Sequence, residues 1–247
     1  MPRVMLQCST LPPPPPLSEL ERPALFLDFD GTLVEIASDP DAITVAAGLG
    51  QRLEILTKRL DGRLAVVTGR SIDNLTQFIG PLALHVAGSH GGHVVGDTGD
   101  ALKVSEPLAA IVGEQLGGFA SENGLLYERK SHGAALHYRT RPDLAERAQD
   151  FASDLARQHG LATKRGKCVI EIVRPGADKG GAVRLLMRQP AFAGAIPIFV
   201  GDDVTDEDGM TAAAELGGFG IAVGERPFEH ASYHLCSVKD VHSWLNL

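Results

Sequence analysis

Two carboxylates two residues apart, in Asp28-Phe29-Asp30-Gly31-Thr32, are the first place where this chain has the means for chemistry. They follow at once on the apolar run Ala24-Leu25-Phe26-Leu27. On an extended chain, side chains two residues apart share a side. Carboxylates held that close repel, unless a cation or a shared proton relieves them. Gly31 allows a sharp departure of the backbone just after the pair. Asp and Gly also build ordinary turns, but a turn leaves the second acid, Asp28, unexplained.

Three further stretches carry polar groups of the same kind. Val66-Val67-Thr68-Gly69-Arg70 ends an apolar run with a hydroxyl, and a helix start near Ser71 would add free amides, together an anion site. The competing reading is a plain strand-to-helix turn with Ser71 as N-cap. In Asp178-Lys179-Gly180-Gly181, Asp178 can cap a helix whose first turn then holds Lys179, against the helix dipole. Such a lysine either points into solvent or holds a phosphate. Gly201-Asp202-Asp203-Val204-Thr205-Asp206-Glu207-Asp208-Gly209 packs five acids into a short span, which calls for a cation if they are to lie close and ionised. Oxygen ligands beside a phosphate favour Mg²⁺. A calcium loop fits less well, since its first ligand position would be Val204 and no helix precedes it.

The elements that must position these groups read as strand, helix, strand, helix. Short continuous apolar runs, as in parallel strands buried on both faces, occur at 24–27, 63–67, 82–86 and 196–200. Helix-like stretches at 50–60 and 71–79 separate them, which predicts an α/β fold with a parallel sheet. From about Glu106 to Pro175 the pattern changes. Helices are expected over 107–120 and 141–159, and strands over 125–128, 134–138, 161–164 and 167–172. The expected division is a core of 23–105 and 176–247 with an α+β insert at 106–175. Residues 1–22, with the run Pro12–Pro16, read as a proline-rich disordered tail.

The formal net charge of -8 argues against nucleic acid as a main partner, because backbone phosphates need a basic excess. No apolar run is long enough to span a membrane, and Arg3 is not followed by a signal-like apolar segment. The odd, scattered cysteines Cys8, Cys168 and Cys236 point to a reducing, cytoplasmic setting. Nothing in the sequence fixes the oligomeric state, and a monomer is compatible with it.

Taken in order, the four motifs resemble those of the haloacid dehalogenase superfamily of phosphohydrolases. Gly88-Ser89-His90-Gly91, Arg174-Pro175 and the acidic stretch from Gly201 are similar to those of trehalose-6-phosphate phosphatases. So are Glu128-Arg129-Lys130, Ala135-Leu136-His137-Tyr138-Arg139 and Gly166-Lys167-Cys168-Val169-Ile170-Glu171 in the insert. Gly92-His93 departs from the Ala-Glu often found there. The resemblance implies a Rossmann-like core with an inserted cap that acts as a lid. It implies Asp28 as nucleophile, Asp30 as acid and base, and Thr68 and Lys179 on the phosphoryl oxygens. Mg²⁺ would be held by Asp28, the Asp30 carbonyl and Asp202, with Asp203 and Asp206 orienting them. Gly69, Arg70, His90, Glu128, Lys130, Arg139, Lys167 and Glu171 are the expected substrate contacts. The substrate would be trehalose 6-phosphate. Another sugar phosphate, such as a sucrose or hexose phosphate, and a non-catalytic sugar-phosphate sensor are the alternatives.

Overall fold

The computed structural model describes residues 11–37, 42–130, 132–166 and 168–247. Its strands are β1 Pro23–Leu27, β2 Leu64–Val67, β3 His85–Gly88, β4 His93–Val95, β5 Ala101–Val104, β6 Leu126–Arg129, β7 Gly133–His137, β8 Ala162–Gly166, β9 Val169–Val173, β10 Ile196–Gly201, β11 Phe219–Val223 and β12 Ala231–Leu235. Its α-helices are α1 Leu49–Arg59, α2 Ile72–Ile79, α3 Ala110–Asn123, α4 Ala145–Gln158, α5 Lys179–Leu186, α6 Glu207–Glu215 and α7 Val238–Leu245. The chain divides into two compact units, one of residues up to Lys103 with Asp178–Leu247, the other Val104–Ala177.

The larger unit is built on an eight-stranded sheet of order β12-β11-β10-β1-β2-β3-β4-β5. Every residue of β1 and β2 is buried, because helices cover both faces. The period of two along each strand sorts side chains between two cores. Leu25, Leu27, Leu64, Val66, Ile198 and Val200 join Leu53 of α1, Leu75 of α2 and Leu245 of α7 on one face. Phe26, Val67 and Phe199 join Val183 and Leu186 of α5 and Met210 of α6 on the other. Burying both faces explains why these strands read as unbroken apolar runs. The sheet is parallel from β12 to β3, and β4 then turns back antiparallel to β3.

From β1 the chain winds through β2 and β3 to one side, and from β10 through β11 and β12 to the other. The order therefore reverses between β1 and β10, which pair Leu27 with Val200 at their carboxyl ends. A cleft opens beyond strand ends at such a reversal.

Expectation and structure part company at the proline run. From Leu11 on it is not a disordered tail but a strap on the outer strand of the sheet. The Pro12 carbonyl accepts from His234 N at 3.0 Å, and the Pro15 carbonyl from Trp244 Nε1 at 2.8 Å. Pro14 is buried, and Leu17 and Leu20 pack on the first core. Proline composition set the expectation, but proline carbonyls accept hydrogen bonds as readily as any others. Residues 1–10 lie outside the described residues.

The smaller unit has an antiparallel sheet of order β6-β7-β9-β8. Ala134, Leu136, Ile170 and Ile172 turn to α3 and α4, meeting Leu116, Phe119, Ala152 and Leu155. Alternation puts Glu128, Ala135, Glu171 and Lys164, aligned in register across the sheet, on the opposite face.

Candidate active site

Asp28 stands one residue beyond β1 and Asp202 one residue beyond β10, so the pairing of those strands brings them side by side. Gly31 makes the approach possible. Its φ is 81°, and a Cβ there would lie 2.1 Å from the Asp202 carboxylate. Thr32, fully buried, points its hydroxyl at Asp202 Oδ1, 3.5 Å away.

Lys179 reaches this point from the first turn of α5, whose N-cap Asp178 accepts from Gly181 N at 2.6 Å. Its ammonium donates to Asp28 Oδ1 and to Asp206 Oδ1, each at 2.6 Å. All three groups are buried. Asp206 also accepts from Asp202 N at 3.0 Å and Asp203 N at 2.9 Å through its second oxygen. It thereby pins the turn that carries Asp202. The N-terminal turn of a helix disfavours a lysine, because the helix dipole is positive there. Here two carboxylates outweigh the dipole, which accounts for the cation at that position.

The electrostatics follow from three carboxylates around one ammonium. Burial, then the Asp206 charge, push the Asp28 carboxyl well above its ordinary range, against the pull of Lys179. Burial likewise raises Asp206. Asp202 is pushed up to about 7, first by burial and then by Asp206. Burial works against the Lys179 ammonium, but Asp206 and Asp28 overcome it and hold its pKa above the usual lysine value. The excess negative charge is that of a site made for a cation. Among the described residues, Asp28, Asp202 and Asp206 each offer a carboxylate oxygen, all within 4.8 Å of one another. An all-oxygen donor set suits a hard metal ion.

The remaining core residues arrange themselves around this centre. Thr68 stands one residue beyond β2, fully buried, and its Oγ accepts from Arg70 N at 3.1 Å. Thr68 and Arg70 carbonyls accept from His90 N at 2.9 Å and Ser89 N at 2.7 Å, tying the loop after β2 to that after β3. Gly69 leaves room for the His90 ring, since a Cβ there would sit 2.7 Å from it. His90 itself is in left-handed backbone, at φ 55°. Arg70 grips Asp30 with two hydrogen bonds of 2.7 Å and Asn74 with one of 2.8 Å. Its guanidinium lies 4.8 Å from the Phe78 ring centre. Asp203 sits at the surface, 3.7 Å from Arg226.

In the smaller unit, Lys130 and Glu171 form an ion pair across the sheet. Glu128 Oε2 and His137 Nε2 are 2.8 Å apart. Arg139 is exposed just past β7, and Lys167 lies outside the described residues. Three features were missed in the sequence. Thr32 sits in the Asp28 motif itself and was available to notice. The Arg70–Asp30 fork and the Arg226–Asp203 pair join distant segments and leave no local pattern.

A doubly wound core with an α+β insertion is the fold of haloacid dehalogenase-like hydrolases. Residues 26–237 match the profile of the trehalose-phosphatase family, and the chain belongs to that family. It is 38% identical over 211 residues to a probable trehalose-phosphate phosphatase of Sinorhizobium fredii, covering 84% of this chain and 80% of the relative. With the trehalose-6-phosphate phosphatase of Escherichia coli the identity is 36% over 229 residues, 91% of this chain and 85% of the relative. The solved trehalose-6-phosphate phosphatase of Aspergillus fumigatus superposes with a TM-score of 0.72 at 25% identity, over 93% of each chain.

Proposed function

We propose that this chain hydrolyses trehalose 6-phosphate to trehalose and phosphate through an aspartyl-phosphate on Asp28, with Mg²⁺ as its metal. The observation that carries the reading is the meeting of Asp28, Lys179, Asp202 and Asp206 beyond the β1 and β10 ends, in a member of the trehalose-phosphatase family.

In the first step an Asp28 oxygen bonds to phosphorus while the bond from phosphorus to the sugar oxygen breaks. Asp30 hands its proton to that departing oxygen. In the second step water attacks phosphorus, the bond to Asp28 breaks, and Asp30 takes the proton from the water. Both Asp30 oxygens are engaged by Arg70, so this fork has to open for either transfer. Lys179 donates to phosphoryl oxygens from its place beside Asp28. The Thr68 hydroxyl, which accepts from Arg70 N, keeps its hydrogen for the same purpose. Such fixed donors matter because phosphoryl transfer is mostly positioning and charge stabilisation. The Asp28 and Asp202 carboxylates and the Asp30 carbonyl would hold Mg²⁺, which supplies positive charge to the phosphoryl oxygens when bound. Asp206 and Asp203 orient these groups. Asp206 is suited to that work, since three hydrogen bonds already use both of its oxygens.

In this reading the smaller unit recognises the sugar with Glu128, Lys130, Glu171, Lys167 and Arg139. Charged groups bind neutral hydroxyls more strongly than neutral groups do. Gly69, Arg70 and His90 complete the set from the core unit. The reading includes a cytoplasmic location, and Cys168 is a free thiol.

The test is phosphate release from trehalose, sucrose and glucose 6-phosphates, with and without Mg²⁺. Trehalose 6-phosphate should be the preferred substrate, and only with the metal. Asp28→Asn should still bind it and release phosphate at least about a thousandfold more slowly. A flat substrate profile removes the sugar assignment, and normal turnover by Asp28→Asn removes the nucleophile.

A further inference from the structure

The cations at the carboxyl end of the core sheet are held with unequal strength. Lys179 is shared by two buried carboxylates, and Arg70 spends three nitrogens on Asp30 and Asn74. Arg226, between β11 and β12, is held much more loosely. Its Nη1 is 3.7 Å from Asp203 Oδ1, an ion pair too long to be a hydrogen bond. Its Cζ is 5.9 Å from the centre of the Phe228 ring. The side chain is 48% exposed and that of Asp203 60%. An exposed pair of this kind contributes little to stability, so little opposes transfer of the guanidinium to a better partner.

The backbone that carries Arg226, in contrast, is anchored. Glu207, the first residue of α6, accepts from Glu229 N at 3.0 Å and His230 N at 2.8 Å. The same Oε1 lies 2.8 Å from His230 Nδ1. Glu207 follows directly on Asp206, so one turn fixes both Asp202 and the segment on which Arg226 rides. The result is a loosely tethered cation on a fixed stem, beside the residue that follows Asp202. A guanidinium presents paired donors that match phosphate oxygens, and a phosphate dianion is a stronger partner than one solvated carboxylate.

We infer that Arg226 recruits the substrate: it leaves Asp203 for a phosphoryl oxygen of the arriving sugar phosphate, setting affinity rather than the rate of bond breaking. The inference rests on the phosphatase reading above. It places no demand on the chemical step, because Lys179 and Thr68 already serve the phosphoryl group there.

The experiment uses the full chain with Mg²⁺ and the variants Arg226→Ala and Arg226→Lys. Arg226→Ala should raise KM for the sugar phosphate about tenfold, with kcat within about twofold of the parent. The Kd for inorganic phosphate, measured by calorimetry, should rise by a similar factor. Arg226→Lys, which keeps the charge and loses the paired donors, should recover part of the affinity. The thermal midpoint should not move. A KM and a phosphate Kd unchanged in Arg226→Ala overturn the inference. So does a fall in kcat and thermal midpoint at constant KM, the mark of a purely structural tie to Asp203. The calorimetric arm needs no turnover. Phosphate binding that depends on Arg226 in a chain that hydrolyses nothing discards the phosphatase reading and keeps a phosphate-binding Arg226.

Discussion

Replacing Lys179 by methionine removes the one ammonium that stands between Asp28 and Asp206 and leaves two buried carboxylates facing each other. Breaking a buried ion pair by deleting one partner costs about 3–5 kcal/mol. Asp206 keeps two backbone donors on its other oxygen, which favours the lower half of that range. For a chain of this size, each kcal/mol moves the midpoint by about 2–4 °C, so a loss of roughly 6–16 °C is expected. The loss should depend on pH. Without Lys179 the two carboxyls take up protons more readily, and protonation relieves their repulsion. The deficit against the parent should therefore be smaller near about pH 5 than near about pH 8. The assay is urea unfolding in metal-free buffer, followed by the fluorescence of Trp244, the one tryptophan, which packs against the core of the larger unit. A deficit under about 1 kcal/mol at the higher pH, or one equal at both, would refute the account of Lys179 as the charge that holds the site together.

Two other outcomes follow from the same geometry. Burial lifts the Asp202 carboxyl from an ordinary 3.8 to about 7, so the metal-free folded chain keeps a proton that the unfolded chain has released. Its stability should fall as pH rises across that window, and added Mg²⁺ should raise the thermal midpoint more above pH 7 than near about pH 5. Equal shifts at both pH values would count against Asp202 as a ligand. Gly31→Ala forces a Cβ into the Asp202 carboxylate at a φ of 81°. Left-handed backbone alone costs an alanine about 1–2 kcal/mol. Metal-induced stabilisation should vanish in this variant, and its survival in calorimetry would show that Asp202 has room to move.

Much of the site was legible because each motif is local. Asp28, Thr68, Lys179 and Asp202 each sit at a strand end or helix start, where short apolar runs and an N-cap announce them. β1 and β2 were legible because burial on both faces leaves an unbroken run of apolar side chains. β5 was not, since its residues are largely exposed and carry neither a run nor a clean alternation. The segment after Asp208 went unread, and it contains β11, β12 and α7. Composition misled at Pro12–Pro16, where the deciding contacts are to His234 and Trp244, more than two hundred residues away. The hold of Arg70 on Asp30, forty residues distant, was not foreseen. Pairings of that separation are made by the fold, and no window along the chain contains both partners.

The proline strap has a practical side. An edge strand left with unpaired amides and carbonyls is a template for a second chain, and prolines along it present no amide with which to extend the sheet. A shortened version that begins at Pro23 would open that flank of β12 and strip the cover from Trp244. Anyone trimming the protein to the segments that carry its site motifs should expect poorer solubility, with the chemistry of the cleft untouched.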